Sequence, residues 1–135
     1  MARVTTWLFV ESECASVEEI SHIIGLECDT SRRRGDVLVG RPGKISRTSL
    51  WRLDNRTETS DDPEKILSQI VAGLKDILAR ISGHEQGFVS ATAMGDSGLL
   101  VGVLASGVPP IIFDAALLKA IANLNVDLEV DLAIG

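Results

Sequence analysis

Near the end of the chain, Asp127, Glu129 and Asp131 alternate with Leu128 and Val130. In an extended strand every second side chain shares a face, about 7 Å apart, so these carboxylates form one acidic column. Such a column can hold a cation or meet a basic partner, and it also discourages edge-to-edge pairing. Glu58, Asp61 and Asp62 form a second acidic group. The cations gather elsewhere. Residues 32–56 carry Arg32, Arg33, Arg34, Arg41, Lys44, Arg47, Arg52 and Arg56 against only Asp36 and Asp54. That segment is +6 in a chain of net charge −6, which leaves −12 for the remainder. Arg32, Arg34, Arg47 and Arg52 are candidates to hold an anion in a cleft, with Asp36 or His22 as an acid/base group.

Other strings fall short of the chemistry they suggest. Gly95-Asp96-Ser97-Gly98 resembles the nucleophile motif of chymotrypsin-like proteases, but that chemistry needs a His base and a buried Asp in a much longer chain. The only histidines are His22 and His84, and the four residues suit a hairpin turn. Arg34-Gly35-Asp36 reads as a turn before a strand. Gly40 to Ser46 lacks the spacing of a phosphate-binding loop, and His84-Glu85 lacks the second histidine of a zinc-protease helix. No Cys/His cluster has zinc spacing, so neither metal nor cofactor is expected.

The elements that must position these residues follow from periodicity. Val4 to Val10 reads as a strand with Trp7 and Phe9 on one face and Thr6, Leu8 and Val10 on the other. Ser16 and Glu19 make a capping box for a short helix that Gly25 ends. Asp36 to Val39 and Thr48 to Leu53 read as strands, with Trp51 and Leu53 opposite Arg52, followed by a polar loop from Thr57 to Asp62. Asp62-Pro63 opens the longest helix, with Ile66, Ile70, Leu74, Ile77, Leu78 and Ile81 as its stripe. Phe88 to Met94 and Leu99 to Ala105 read as a hairpin across Gly95–Gly98. Pro109-Pro110 marks a boundary, Asp114 caps a third helix, and Val126 to Leu132 forms a half-buried strand.

The order is β-α-β-β-α-β-β-α-β, with no internal repeat or linker. This pattern specifies an α+β domain over 1–135: a single, largely antiparallel or mixed sheet with helices packed on one face. Aromatics are only 4% of the 135 residues, so aliphatics must fill the core, with Trp7 and Trp51 near each other or beneath a helix.

Bulk properties narrow the function. A pI near 4.8 disfavours nucleic acid as a partner. No run reaches the ~18 apolar residues of a membrane span, so no membrane partner is expected. Cys14 and Cys28 are too few for a disulfide framework. With no secretion signal in the N-terminal residues, they read as reduced thiols in a cytoplasmic protein.

The residues also resemble a known family. A first strand with Trp7, Gly25-Leu26 after a short helix, Gly35-Asp36 opening a strand, Trp51 and a long apolar helix resemble a small bacterial domain-of-unknown-function family, DUF4279. The segment Phe113, Leu117, Leu118, Ile121, Ala122, Leu124, Leu128, Val130 and Asp131 is similar to that family's closing helix and strand. The resemblance supplies no catalytic residues. It implies a stand-alone cytoplasmic protein, and some members are suspected immunity proteins for bacterial toxins.

The leading expectation is therefore a non-catalytic binding protein of immunity type. Its acidic residues Asp127, Glu129 and Asp131, with Glu58, Asp61 and Asp62, would meet a basic toxin domain, since charge complementarity speeds association. The alternative is a small anion- or ligand-binding domain or enzyme built on Arg32, Arg34, Arg47 and Arg52. A third reading is a homodimer paired through a sheet edge or face.

Overall fold

The computed structural model describes residues 1–107 and 110–134; Pro109 of the Pro109-Pro110 boundary lies outside them. The elements are β1 Ala2–Ser12, α1 Val17–Ile24, β2 Thr30–Arg32, β3 Ser49–Thr59, α2 Pro63–Ile81, α3 Glu85–Thr92, β4 Asp96–Ala105, α4 Ala115–Ala122 and β5 Leu128–Ile134. They form an α+β fold around one mixed sheet of strand order β2-β3-β1-β4-β5. β1 pairs antiparallel with both β3 and β4, and β2 pairs antiparallel with β3. Among the described strands only β4 and β5 are parallel. A parallel pair needs a long crossover, and α4 lies within the one between them.

Strand alternation places Val4, Thr6, Leu8 and Val10 of β1, Trp51 and Leu53 of β3, and Leu99, Val101 and Val103 of β4 in the core. α2 covers them with Ile66, Ile70, Leu74, Ile77 and Ile81, all fully buried. Asp62 accepts from the Glu64 amide at 3.0 Å and caps this helix, and Pro63 supplies a first-turn residue with no amide to satisfy. The capping box at Ser16 and Glu19 and the left-handed Gly25 are both present at the ends of α1. Asp114 caps α4 through the Leu117 amide at 2.7 Å.

Several sequence expectations are corrected. Phe88 to Met94 is not a strand, because α3 occupies Glu85–Thr92. Phe88 and Ala91, three residues apart, are both buried, and Phe88 meets Trp51 with ring centroids 6.2 Å apart. Tertiary packing thus overrides the local β character of that segment. A Cβ on Gly87 would sit 2.5 Å from the Ile23 carbonyl oxygen, so only glycine lets α3 approach α1 this closely. Gly95 to Gly98 consequently turns no hairpin: Ala93 to Gly95 join α3 to β4, and Asp96 to Gly98 are already paired with β1.

Asp36 to Val39 is not a sheet strand either. It belongs to a separate ribbon with a single bridge, Val37 to Ile45. The loop expected from Thr57 to Asp62 begins later, at Ser60, since β3 runs on to Thr59, which pairs with Ala2. The two tryptophans part company. Trp51 is fully buried beneath α3 and donates to the Leu26 carbonyl at 3.1 Å, whereas Trp7 stands on the opposite face of the sheet.

Candidate binding face

The helices leave one sheet face open, and the register fixes what lies on it. Across β3, β1, β4 and β5 the rows read Arg52–Phe9–Gly98, then Asp54–Trp7–Leu100–Glu129, then Arg56–Thr5–Gly102–Asp131, then Glu58–Arg3–Leu104–Ala133. Asp127, two residues before Glu129, extends the β5 column past Gly98. The middle of the face is apolar and its β5 edge is acidic. Trp7, Phe9 and Leu100 are half-buried, and Leu104 is exposed.

Glycine on β4 shapes this surface. A Cβ on Gly98 would come within 3.0 Å of the Phe9 ring, so the bare glycine leaves that ring its place on the face. The Arg52 guanidinium sits 4.1 Å from the Trp7 ring centroid and bonds Asp54 at 2.5 Å. Thr30 of β2 donates to the other oxygen of Asp54.

The structure brings Asp127, Glu129 and Asp131 together as one exposed column. It does not join them to Glu58, Asp61 and Asp62. Glu58 lies three strands from β5, about 14 Å away, beside Arg3 at 3.8 Å and Arg56 at 3.5 Å. Asp61 receives the N-terminal ammonium at 2.8 Å, which holds its carboxyl below the ordinary aspartate range. Asp62 is committed to capping α2. These three carboxylates thus have partners within the chain, and the structure does not gather them with the β5 column. Among the described residues no three His, Cys, Asp or Glu side chains converge to hold a metal ion.

Arg32, Arg47 and Arg52 share a cleft of about 960 Å³ with Glu11, Glu13, Asp36 and Leu50; Arg34 does not line it. Most of these cations have internal partners. Arg32 donates to Ser46 at 2.9 Å and lies 3.6 Å from Glu11. Arg34 donates to the Glu13 carbonyl. Only Arg47 of the four lacks an ion pair or side-chain hydrogen bond among the described residues. Asp36 accepts from the Arg33 amide at 2.8 Å, and His22 lines a different cleft of about 650 Å³ with Ser21 and Cys28. The two acid/base candidates therefore do not face one site. Cys14 and Cys28 are unbridged.

Sequence reasoning missed the aromatic centre of the open face. The signal was present: Trp7 and Phe9 alternate away from Thr6, Leu8 and Val10. Only the sheet order shows that, among the described residues, no helix covers them.

This is an α+β domain with a one-sided mixed sheet and an uncovered aromatic face. The chain belongs to the family described as Domain of unknown function (DUF4279), which it matches over residues 2–135. No curated protein and no solved structure matches it.

Proposed function

We propose that the chain is a non-catalytic, cytoplasmic protein-binding module of immunity type that takes a basic partner on its open sheet face. One observation carries this reading. A half-buried aromatic and aliphatic centre, Trp7, Phe9 and Leu100, lies beside the exposed column Asp127, Glu129 and Asp131. Protein interfaces combine aromatic anchors with a polar rim, and an acidic rim speeds the approach of a cationic surface. The unbridged thiols fit a reducing compartment.

The test is a tagged pull-down from nuclease-treated lysate of the native host, run beside D127K/D131K and W7S variants. One stoichiometric basic protein, captured by the wild type and lost from both variants, is the expected result. Equal capture by all three removes the face as the binding surface.

A second reading, anion binding, is favoured by the cleft that gathers Arg32, Arg47 and Arg52. The internal engagement of Arg32 and Arg52 makes it the weaker of the two. Calorimetric titration with inorganic phosphate, compared between wild type and R47A, separates it from the first.

A further inference from the structure

The connection from β2 to β3 stands apart from the domain body. Its backbone is well ordered by hydrogen bonds. The Leu38 amide donates to the Lys44 carbonyl at 2.9 Å, and the Gly35 and Ser46 amides donate to Ser46 and Asp36 carbonyls at 2.8 Å. Gly40 and Gly43, both with positive φ, turn the tip around Arg41 and Pro42. Val37 and Ile45 are bridge partners and so lie side by side, and Val39 follows in the turn that the Arg41 amide closes on the Leu38 carbonyl at 3.2 Å.

These side chains are bare. Val37 is 70% exposed, Val39 100% and Ile45 60%. All three line the cleft of about 960 Å³ between ribbon and sheet, which Glu11, Glu13 and Asp36 also line, and none of the three is buried. Clustered exposed aliphatics mark a contact surface. Around them stand Arg41, Lys44 and Arg47, none of which makes an ion pair among the described residues. Arg33 and Arg34 are occupied, by Glu18 and by the Glu13 carbonyl.

We propose that this ribbon, residues 35–46, docks on an anionic bilayer surface. Val37, Val39 and Ile45 enter the headgroup region, and Arg41, Lys44 and Arg47 meet the lipid phosphates and carboxylates. Shallow insertion of apolar side chains combined with basic residues at the surface is how peripheral proteins hold such membranes. A specific protein interface fits less well. The patch has no aromatic anchor, and three aliphatic side chains fall far short of the ~800 Å² per partner of a stable complex. The absence of long apolar runs, which set aside a membrane partner at the level of sequence, bears on spanning segments and not on a ribbon tip.

The acidic column does not oppose this docking; the carboxylates nearer the ribbon are Glu11, Glu13 and Asp36, of which Glu11 lies 3.6 Å from Arg32 and Asp36 accepts from the Arg33 amide. The ribbon leaves the sheet at its β2 edge, and the acidic column lies on β5 at the other edge. Four strand spacings put them about 19 Å apart, more than two Debye lengths of about 8 Å at physiological salt. The acidic edge is screened from the bilayer while the basic tip touches it.

The experiment is co-sedimentation of the full chain with vesicles of phosphatidylcholine alone or with about a third phosphatidylserine. Three surface cations favour the acidic vesicles on the order of 100-fold, and the preference shrinks as salt rises. Val39→Asp and R41E/K44E should each reduce binding at least tenfold, while Val39→Leu keeps it. Their side chains are exposed, so circular dichroism should be unchanged. D127K/D131K, at the far edge, should not weaken binding. Failure to sediment with acidic vesicles at low salt overturns the proposal. So does binding that Val39→Asp leaves intact, or capture of an acidic protein by the ribbon with no vesicle binding. None of these outcomes bears on the pull-down, which reads the opposite edge.

Discussion

The Arg52 guanidinium lies 4.1 Å from the centroid of the Trp7 ring and bonds Asp54 at 2.5 Å on the same strand. Its side chain is only 21% exposed, so stacking and ion pair act together with little solvent between. A partly desolvated cation–π contact contributes about 0.5–2 kcal/mol. Arg52→Ala removes that contact and leaves Asp54 short of a partner. Urea unfolding should show a loss of about 1–2 kcal/mol. Arg52→Lys should recover less than half of it, because an ammonium replaces the planar fork.

Gly73 in α2 faces Thr6 in β1, and a Cβ there would sit 2.6 Å from Thr6 Oγ1. Alanine normally gains about 1 kcal/mol over glycine within a helix. Here Gly73→Ala should instead lose about 2 kcal/mol or more, as overpacked cores do. The same Thr6 hydroxyl is buried without a hydrogen-bond partner among the described residues. Thr6→Val keeps the shape and removes the orphan, so it should be neutral or stabilising by up to about 1 kcal/mol. Paired denaturation curves check both signs.

Asp29 and Arg80 form a two-pronged bridge with both N–O distances at 2.6 Å. The Arg80 guanidinium, followed by the Asp54 amide, holds the Asp29 carboxyl below the ordinary aspartate range. The unfolded chain therefore binds this proton more readily than the folded one. The bridge stabilises fully above the ordinary value of about 4, and its contribution is lost as pH falls through the lowered value. Both side chains are about a third exposed, so the contribution stays below about 1 kcal/mol. Asp29→Asn should flatten stability against pH below about 4 relative to wild type, with a small constant loss at neutral pH. Melting curves across that range measure it.

The elements legible in the sequence were those whose pattern is local. The α2 stripe from Ile66 to Ile81, the Ser16 capping box and the Trp7/Leu8 alternation each specify their own geometry. Phe88 to Met94 misled because its β-branched and aromatic residues favour a strand, while its real partners, Trp51 and α1, are distant in sequence. The length of β3 was hidden because Asn55 to Thr59 is polar, yet pairing with β1 from Thr6 to Ala2 holds it in the sheet. The site was half legible for the same reason. Asp127, Glu129 and Asp131 announce a column by spacing alone. That Glu58, Asp61 and Asp62 serve Arg3, the N-terminus and α2 depends on contacts no spacing records.

The acidic column itself makes the last prediction. Asp127, Glu129 and Asp131 are exposed at a sheet edge, so their charges act through solvent and are screened within about 8 Å at physiological salt. Charges of this kind change the rate of encounter more than the lifetime of a complex. D127K/D131K should therefore slow association with a basic partner by about tenfold or more at low salt, with a much smaller change in dissociation. Raising the salt should bring wild type and variant together. Trp7→Ser should behave in the opposite way, speeding dissociation while leaving association nearly unchanged, because the ring anchors the complex only after contact. Surface plasmon resonance at two ionic strengths resolves both. A variant pair in which charge reversal alters only dissociation would assign the column to the buried interface rather than to its rim.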